Sequence, residues 1–313
     1  MVKNNAVPVS TVTPFSASER SSRSAVLIVN TKARRGQDWY VQAQEHLRAQ
    51  GVTVEAAYPL ADPSLLPEVT GEALDRGARL IVIGGGDGSF RCVAGMMAAK
   101  DAILGILPLG TVNDLARNLG IEADLEAACR VIAEGQSARI DVGQANDHYF
   151  LITASLGFSA QVQQELTPGL KKWFGPLGYF VASLRALHHV RHLRITIRGE
   201  EDTESLRAIQ AGVVHGHFWM GGAFEIPGVN LENGRLAFYA LPPQGKLAFL
   251  HLLYNLMHDR FFSTPGLRAF TTCDLTVETD RPQPLVLDGD LCGETPVRLC
   301  LHREALQVCV PAT

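Results

Sequence analysis

Ten residues, Leu80 to Ser89, restrict this chain more than any other stretch. Leu80-Ile-Val-Ile-Gly-Gly-Gly-Asp-Gly-Ser89 runs from four apolar residues, three of them β-branched, into a glycine cluster that holds one aspartate. The apolar run predicts a strand buried on both faces. Val93, Met96 and Met97 then recur at helical spacing, so a helix is expected from Ser89 to Ala99. Glycines between a buried strand and a helix let backbone N–H groups approach an anion with no Cβ in the way. A carboxylate in such a loop repels a phosphate unless a cation lies between them, so Asp87 points to Mg²⁺ with a nucleotide. The plainer alternative is a tight turn in which Asp87 merely starts the helix. A P-loop is excluded because no Gly-Lys-[Ser/Thr] follows, and a dinucleotide fingerprint begun at Gly84 meets Ser89 where its third glycine belongs.

The alternation around this stretch sets the fold class. Residues 1–23 are rich in Ser, Thr and Pro, show no period and are expected to form a disordered tail. Ala25 to Val29 is a buried strand ending at Asn30, and a basic turn leads to a helix with Tyr40, Ala43 and Leu47 on one face and Gly51 as its stop. Strands at Val52–Ala56, Leu80–Ile83 and Ala102–Leu107 alternate with helices at Pro63–Arg76, after Ser89, and up to Leu119. Asp124 is placed to cap a further helix that ends at Gly135. This order predicts an N-terminal doubly wound parallel α/β domain over residues 24–137.

From residue 138 the pattern changes to short strands separated by turn residues, the mark of an antiparallel β-sandwich over 138–313. Helical inserts are expected near 170–190 and 245–260. With 313 residues, 46% apolar and 19% charged, the chain has core material for both domains. A formal net charge of −4 argues against a nucleic-acid partner. None of the six cysteines forms a C-x-x-C pair, no disulfide framework or signal peptide is read, and a cytoplasmic location is the expectation. The longest apolar helix candidate, Leu247–Met257, is broken by His251 and Asn255 and is too short to span a bilayer.

Three further constellations carry chemistry. Pro108-Leu-Gly-Thr-Val-Asn-Asp114 repeats the strand–turn–helix layout, and in an open α/β sheet such loops share the crevice at the carboxyl ends of the strands. Thr111 offers a hydroxyl to phosphate, while Asn113 and Asp114 fit helix capping equally well. Leu285-Val-Leu-Asp-Gly-Asp290 sets two carboxylates around a glycine after an apolar strand. A carboxylate facing a cleft accepts the proton of an attacking hydroxyl in phosphoryl transfer, although Asp-Gly alone is first of all a hairpin turn. Lys171-Lys172-Trp173-Phe174 and the basic run that follows to Arg194 suit a headgroup zone or a lid over phosphates, a solvated helix being the plainer reading.

Taken together, these residues resemble a known family. Gly85-Gly-Asp-Gly-Ser89 resembles the Gly-Gly-Asp-Gly-Thr signature of the diacylglycerol kinase catalytic family, and Pro108–Asp114 with Leu115-Ala-Arg117 resembles its second signature. Asn30, the lysines at 171–172, Gly221-Gly222 and Asp288-Gly-Asp290 follow in the family's order, so the likeness spans nearly all of the chain beyond the tail. The resemblance implies an ATP- and Mg²⁺-dependent lipid kinase that phosphorylates a hydroxyl of a diacylglycerol-like or related lipid, with its active site in the cleft between the two domains. It implies that Asn30, Gly84, Gly85, Gly86, Asp87, Gly88, Ser89, Phe90, Arg91, Gly110, Thr111 and Asn113 hold ATP. Asp87 would meet the magnesium-bound phosphates with Asp114 in support, Lys171 or Lys172 would approach the phosphates, and Asp288 or Asp290 would be the base.

The sequence departs from the family's pattern at Thr31 (usually proline), Ser89 (threonine) and Asp290 (glutamate). Asn230 and Asn233 replace aspartates that bind a structural magnesium in bacterial members, so no tight structural metal is expected. The partner implied is a lipid at a membrane surface, met peripherally through the 171–194 segment, and a homodimer is left open. Two rivals remain at this stage: a kinase of a soluble substrate, as in NAD kinases, and a non-catalytic nucleotide- or lipid-binding module.

Overall fold

The fold is seen in a computed structural model, which describes residues 12–14, 23–33, 35–100, 102–166, 181–183, 185–186, 192–199, 202–222, 224–243 and 264–312. The chain divides into two compact units, Met1–Val142 with Arg303–Thr313, and Gly143–His302. The division departs from the sequence reading at two places: the boundary falls after Val142 instead of after residue 137, and residues 303–313 return to the first unit instead of closing the second. The helical insert expected near 245–260 lies outside the described residues, as do Lys171 and Lys172. Of the insert near 170–190, residues 181–183 and 185–186 are described and are helical.

In the first unit strands alternate with amphipathic helices, and the central strands are apolar and buried on both faces. In chain order they are β1 (Val12–Pro14), β2 (Ser24–Asn30), α1 (Gly36–Ala49), β3 (Thr53–Leu60), α2 (Leu66–Asp75), β4 (Leu80–Gly85), α3 (Asp87–Ala98), β5 (Ile103–Pro108), α4 (Asp114–Asn118), α5 (Leu125–Glu134) and β6 (Gln136–Ala145). β6 continues three residues past the unit's boundary. The strands β3-β2-β4-β5 lie side by side and parallel. Leu27, Ile28, Ile81, Val82, Ile83, Leu104 and Ile106 are fully buried among them. The chain goes from β2 to β3 on one side and then returns to place β4 on the other. The topological switch point, where open α/β sheets bind ligands, is therefore the β2/β4 pair.

Local signals end the helices as expected. Asp124 accepts the Ala127 N–H at 2.9 Å at the head of α5, and Gly51 takes φ +83° after α1. The tail is not wholly without structure: β1 pairs antiparallel with β6, Val12 opposite Ala138. Burial pushes the Cys129 thiol up to about 12 and Cys309 to about 11, so both stay protonated and act as small apolar side chains.

The second unit is a sandwich. Its elements are β7 (His148–Phe150), β8 (Thr153–Gly157), α6 (Phe158–Glu165), β9 (Leu193–Arg198), β10 (Thr203–Ala208), β11 (Gln210–Val214), β12 (Phe218–Trp219), β13 (Phe224–Glu225), β14 (Leu236–Leu241), β15 (Arg268–Thr272), β16 (Asp274–Thr279), β17 (Pro284–Leu287), β18 (Asp290–Glu294) and β19 (Val297–Val310). One antiparallel layer is β10-β9-β16-β19, and the other is β15-β14-β11-β8-β17-β18. β9 alternates buried and open residues, sending Leu193, Ile195 and Ile197 inward. They share a core with Ala154, Leu156, Val213, Phe238, Leu285 and Leu287 of the facing layer. β11 and β14 are buried on both faces, because Phe224, Ile226 and Val229 cover their outer side.

β19 begins in the second unit, where Val297–Cys300 pairs with β16, and ends in the first, where Gln307 and Val308 pair parallel with β5. Apolar alternation in the sequence marks Val297–Leu301 and Leu306–Val310 as two short strands with 302–305 between them. The structure keeps one strand, with a single left-handed residue, Glu304, at φ 50°. The fully buried Asp141 accepts the Glu304 N–H at 2.8 Å and absorbs the irregularity.

Candidate active site

In the first unit, β2, β4 and β5 end level with one another: Val29 lies opposite Gly84, and Gly85 opposite Pro108. Three loops therefore leave neighbouring strands at their carboxyl ends. The glycines in them are required by contact. A Cβ on Gly85 would lie 2.4 Å from the Ser89 hydroxyl, and one on Gly110 would lie 2.8 Å from Gly86 Cα and 2.6 Å from Asn113 Oδ1. Gly86 and Gly110 pass backbone against backbone, and Leu109 N–H donates to Gly85 O at 2.8 Å. Gly86 caps α3 without a side-chain hydrogen bond, so the helix presents its N-terminus through a glycine collar.

Asp87 has a structural part in this loop. Its Oδ2 accepts the Asp114 N–H at 3.1 Å and its Oδ1 the Leu115 N–H at 3.0 Å, so it caps α4 and ties the glycine loop to the second signature. Burial raises its carboxyl above the usual range, and the backbone N–H groups of Leu115 and Asp114 pull the other way. Each oxygen gives one lone pair to a backbone donor and keeps another, so Asp87 is first of all the tie between the two loops and would still have an oxygen lone pair for a cation carried by the nucleotide. Asp114 supports Asp87 through its backbone, while its own side chain is buried. Asn113 is likewise turned inward: it is left-handed at φ 54°, accepts the Gly110 N–H at 2.8 Å and donates to Gly110 O at 2.9 Å.

Asn30 closes the first loop by accepting the Lys32 N–H at 3.0 Å. Phe90, expected among the nucleotide contacts, is fully buried and belongs to the core. Gly84 is packed against Val29 and Leu109, with its absent Cβ 3.0 Å from the Val29 side chain. Gly88, Ser89 and Arg91 are half-buried, and Thr111 is exposed at the loop's tip. Arg91 Nη2 lies 3.8 Å from Cys92 Sγ.

In the second unit, Asp288 and Gly289 form the two-residue turn from β17 to β18, at φ 46° and 87°. Asp288 is more than a turn residue. Its Oδ2 accepts the Leu151 N–H at 2.7 Å, and its Oδ1 accepts Ile152 N–H at 2.9 Å and Thr153 N–H at 2.8 Å. The sequence reads 149–155 as one strand; the structure breaks it between β7 and β8 because these donors turn to a carboxylate. Three bonds occupy most of what a carboxylate accepts, which makes Asp288 a poor proton acceptor. Asp290 stands half-buried at the first position of β18, opposite Leu287.

Sequence reasoning missed the groups behind this turn. His215, fully buried, donates from Nδ1 to Leu151 O at 2.8 Å, and its own N–H goes to Ile152 O. The 151–153 bend is thus held by Asp288 on one side and His215 on the other. Gln210 accepts the Ser159 N–H at 2.7 Å at the head of α6 and donates to the Tyr239 hydroxyl at 3.1 Å. A polar residue opening the apolar strand 210–214 is the one sign of this in the sequence. At the other loop singled out, Asn230 Oδ1 accepts the N–H groups of Glu232 and Asn233 at 2.9 Å, and Asn233 Nδ2 donates to Gly228 O at 3.0 Å.

Residues 24–145 match the model of the diacylglycerol kinase catalytic domain, and residues 153–310 match that of the YegS C-terminal NAD kinase beta sandwich-like domain. The chain is 32% identical over 295 residues to a protein named probable lipid kinase YegS-like from Yersinia enterocolitica, covering 91% of this chain and 96% of that one. The chain belongs to the diacylglycerol kinase family of lipid kinases. A diacylglycerol kinase of Staphylococcus carnosus is 25% identical over 245 residues, 76% of this chain and 79% of its own length. A crystal structure of a diacylglycerol kinase from Bacillus anthracis strain Sterne shares the fold, with a TM-score of 0.73 at 22% identity over 92% of this chain and 97% of that one. The two signatures are thus those of a lipid kinase, with Asp87 as the bond between them. Among the described residues no helix is long and apolar enough to cross a membrane.

Proposed function

We propose that this lipid kinase transfers the γ-phosphoryl group of ATP to a hydroxyl of a diacylglycerol-like lipid. The observation that carries this reading is the close approach of the two signature loops at the glycine-capped N-terminus of α3, where a Cβ on Gly110 would lie 2.8 Å from Gly86 Cα. Gly86 and Gly88 offer backbone N–H groups to the phosphates, with the Ser89 and Thr111 hydroxyls beside them. Magnesium carried in with the nucleotide would supply charge neutralisation on the phosphates. Asp290 accepts the proton of the lipid hydroxyl as its oxygen bonds to the γ-phosphorus and the bond to ADP breaks. Asp288 and the 151–153 bend hold the turn from which Asp290 departs. The cytoplasmic, membrane-peripheral location expected from the sequence belongs to this proposal.

The test is radiolabel transfer from ATP with Mg²⁺ to a panel of lipids in mixed micelles, with Gly110→Ala and Asp290→Asn as controls. Label in one lipid, absent from both variants, is expected. Label carried equally well by Gly110→Ala, or found in NAD and in no lipid, would sink the proposal.

A further inference from the structure

The loop that leads into β14 closes on itself. It runs Gly228-Val-Asn-Leu-Glu-Asn-Gly-Arg235, with Gly228 and Gly234 left-handed at φ 81° and 66°. Val229 and Leu231 are buried and anchor it. Asn230 Oδ1 accepts the N–H groups of Glu232 and Asn233, both at 2.9 Å. Asn233 Oδ1 accepts those of Asn230 at 3.4 Å and Arg235 at 3.2 Å, and its Nδ2 donates to Gly228 O at 3.0 Å. An amide oxygen has two lone pairs, so both oxygens are filled from within the loop.

The structural magnesium that the family resemblance implies at residues 230 and 233 does not fit these residues. A divalent cation of this kind takes about six or more oxygen ligands and is held by carboxylate charge. Here both side-chain oxygens are neutral and already bonded, and Glu232 is the one carboxylate from residue 228 to residue 235. Among the described residues no group of three or more His, Cys, Asp or Glu side chains could hold a metal ion. The Asn233 NH₂ makes the decisive contact: it gives the Gly228 carbonyl a positive partner from within the chain, where a carboxylate would need a cation to bridge it to that carbonyl. The loop also stands near the chemistry. β14 pairs with β11 at Ala237 opposite Val214, and β11 with β8 at Val214 opposite Thr153. Thr153 is one of the three N–H donors to Asp288, at the turn before Asp290.

We infer that the Asn233 NH₂ group stands in the place of a divalent cation, so that this chain closes its 228–235 loop and performs its reaction with no metal ion of its own. Magnesium carried in with the nucleotide is then the whole divalent requirement. The loop half stands on the bonds above, and the kinetic half rests on the lipid-kinase reading. Asn233→Asp removes the donor and sets a carboxylate oxygen against Gly228 O, and two such oxygens repel unless a cation lies between them. Asn230→Asp adds a second negative charge to the same loop, so the pair of substitutions turns a self-sufficient loop into one that needs a cation.

The test compares the unaltered chain with the double variant Asn230→Asp, Asn233→Asp. Both are nucleotide-free, in EDTA and then with Mg²⁺ or Ca²⁺ added at constant ionic strength. The thermal midpoint of the unaltered chain is expected to stay within about 1 °C throughout, whereas a site at ten times its dissociation constant raises it by about 3–6 °C. The double variant is expected to melt about 3–8 °C lower in EDTA and to recover as either cation is added. Calorimetric titration with Mg²⁺ gives saturable heat in the double variant and none in the unaltered chain. In the lipid kinase assay at fixed ATP, the unaltered chain's rate rises until the nucleotide is complexed and then holds within about twofold as free Mg²⁺ increases. A midpoint of the unaltered chain that falls in EDTA or climbs with Mg²⁺ overturns the inference, and so does a double variant indifferent to both cations. A rate that keeps climbing with free Mg²⁺ overturns the single-metal half. If no lipid is phosphorylated, the kinase reading falls, while the melts and the titration still decide the loop.

Discussion

Replacing Asp288 and Asp290 in turn separates a structural carboxylate from a chemical one. In Asp288→Asn the amide oxygen keeps the two N–H groups that now meet Oδ1, and the amide NH₂ turns toward the Leu151 N–H. One bond to a charged acceptor is lost, at about 1.5–3 kcal/mol, and one half-buried donor is stranded, which brings the total to about 2–4 kcal/mol. Asp288→Ala strands all three donors and puts alanine at φ 46°, which raises the loss to about 4–6 kcal/mol. For a domain of this size each kcal/mol moves the thermal midpoint by about 2–4 °C, so Asp288→Asn melts roughly 5–15 °C lower. Asp290→Asn is expected to melt within about 2 °C of the unaltered protein, as a half-buried turn-end residue does, and to lose at least about a hundredfold in kcat. Calorimetry and urea titration read the first effect, and single-turnover phosphoryl transfer reads the second. An Asp288→Asn protein with unaltered stability, or an Asp290→Asn protein with full turnover, refutes the division of labour.

Other outcomes follow from the first unit and from the buried polar groups. Asp87→Asn loses about 2–3 kcal/mol because one of the two N–H groups at the head of α4 loses its acceptor, and urea midpoints measure it. Burial raises the folded-state pKa of Asp87, so the native state binds the extra proton. The stability of the unaltered protein relative to Asp87→Asn therefore grows as pH falls through the window between that raised value and the ordinary carboxylate value, and paired urea titrations across that window should show it. Gly110→Ala places a methyl 2.8 Å from Gly86 Cα and is expected to weaken ATP binding by about tenfold or more, read by calorimetric titration. Tyr239→Phe leaves Gln210 Nε2 without its acceptor and costs about 1–2 kcal/mol with no change in KM for ATP.

Much of the fold was open to sequence reasoning because the parallel strands are apolar on both faces and glycine or proline marks their ends. Leu80–Ile83, Asp124 and Gly51 needed no tertiary information. The long-range pairings did: Val12–Pro14 reads as tail because three residues carry no period, and only the edge of β6 makes a strand of them. Residues 306–310 read as sandwich strand because apolar alternation does not say which sheet it serves. At the site, residue types were legible and their bonds were not. Asp87, Asn113 and Asp288 each sit in a signature, yet each turns its side chain to backbone N–H groups of loops distant or near in sequence. Spacing cannot tell a carboxylate that meets a ligand from one that builds the loop meeting it. Phe90 fell to the simplest error, since its place in the signature belongs to the helix face turned to the core.

The return of β19 to the first unit fixes an order of events during synthesis. β5 lies between β4 and the end of β19, so residues 1–142 leave the ribosome with one apolar edge of β5 open. At about 5–20 residues per second, the strand that closes it follows only after the second unit has been made, roughly 10–30 s later. For that interval the unpaired N–H and C=O groups along Ile103 and Leu104 are a template for pairing with another nascent chain. The nucleotide-binding half, made first, is completed last. A permuted gene that encodes residues 303–313 ahead of residue 12 would close the edge at once and let that half fold without waiting for its neighbour.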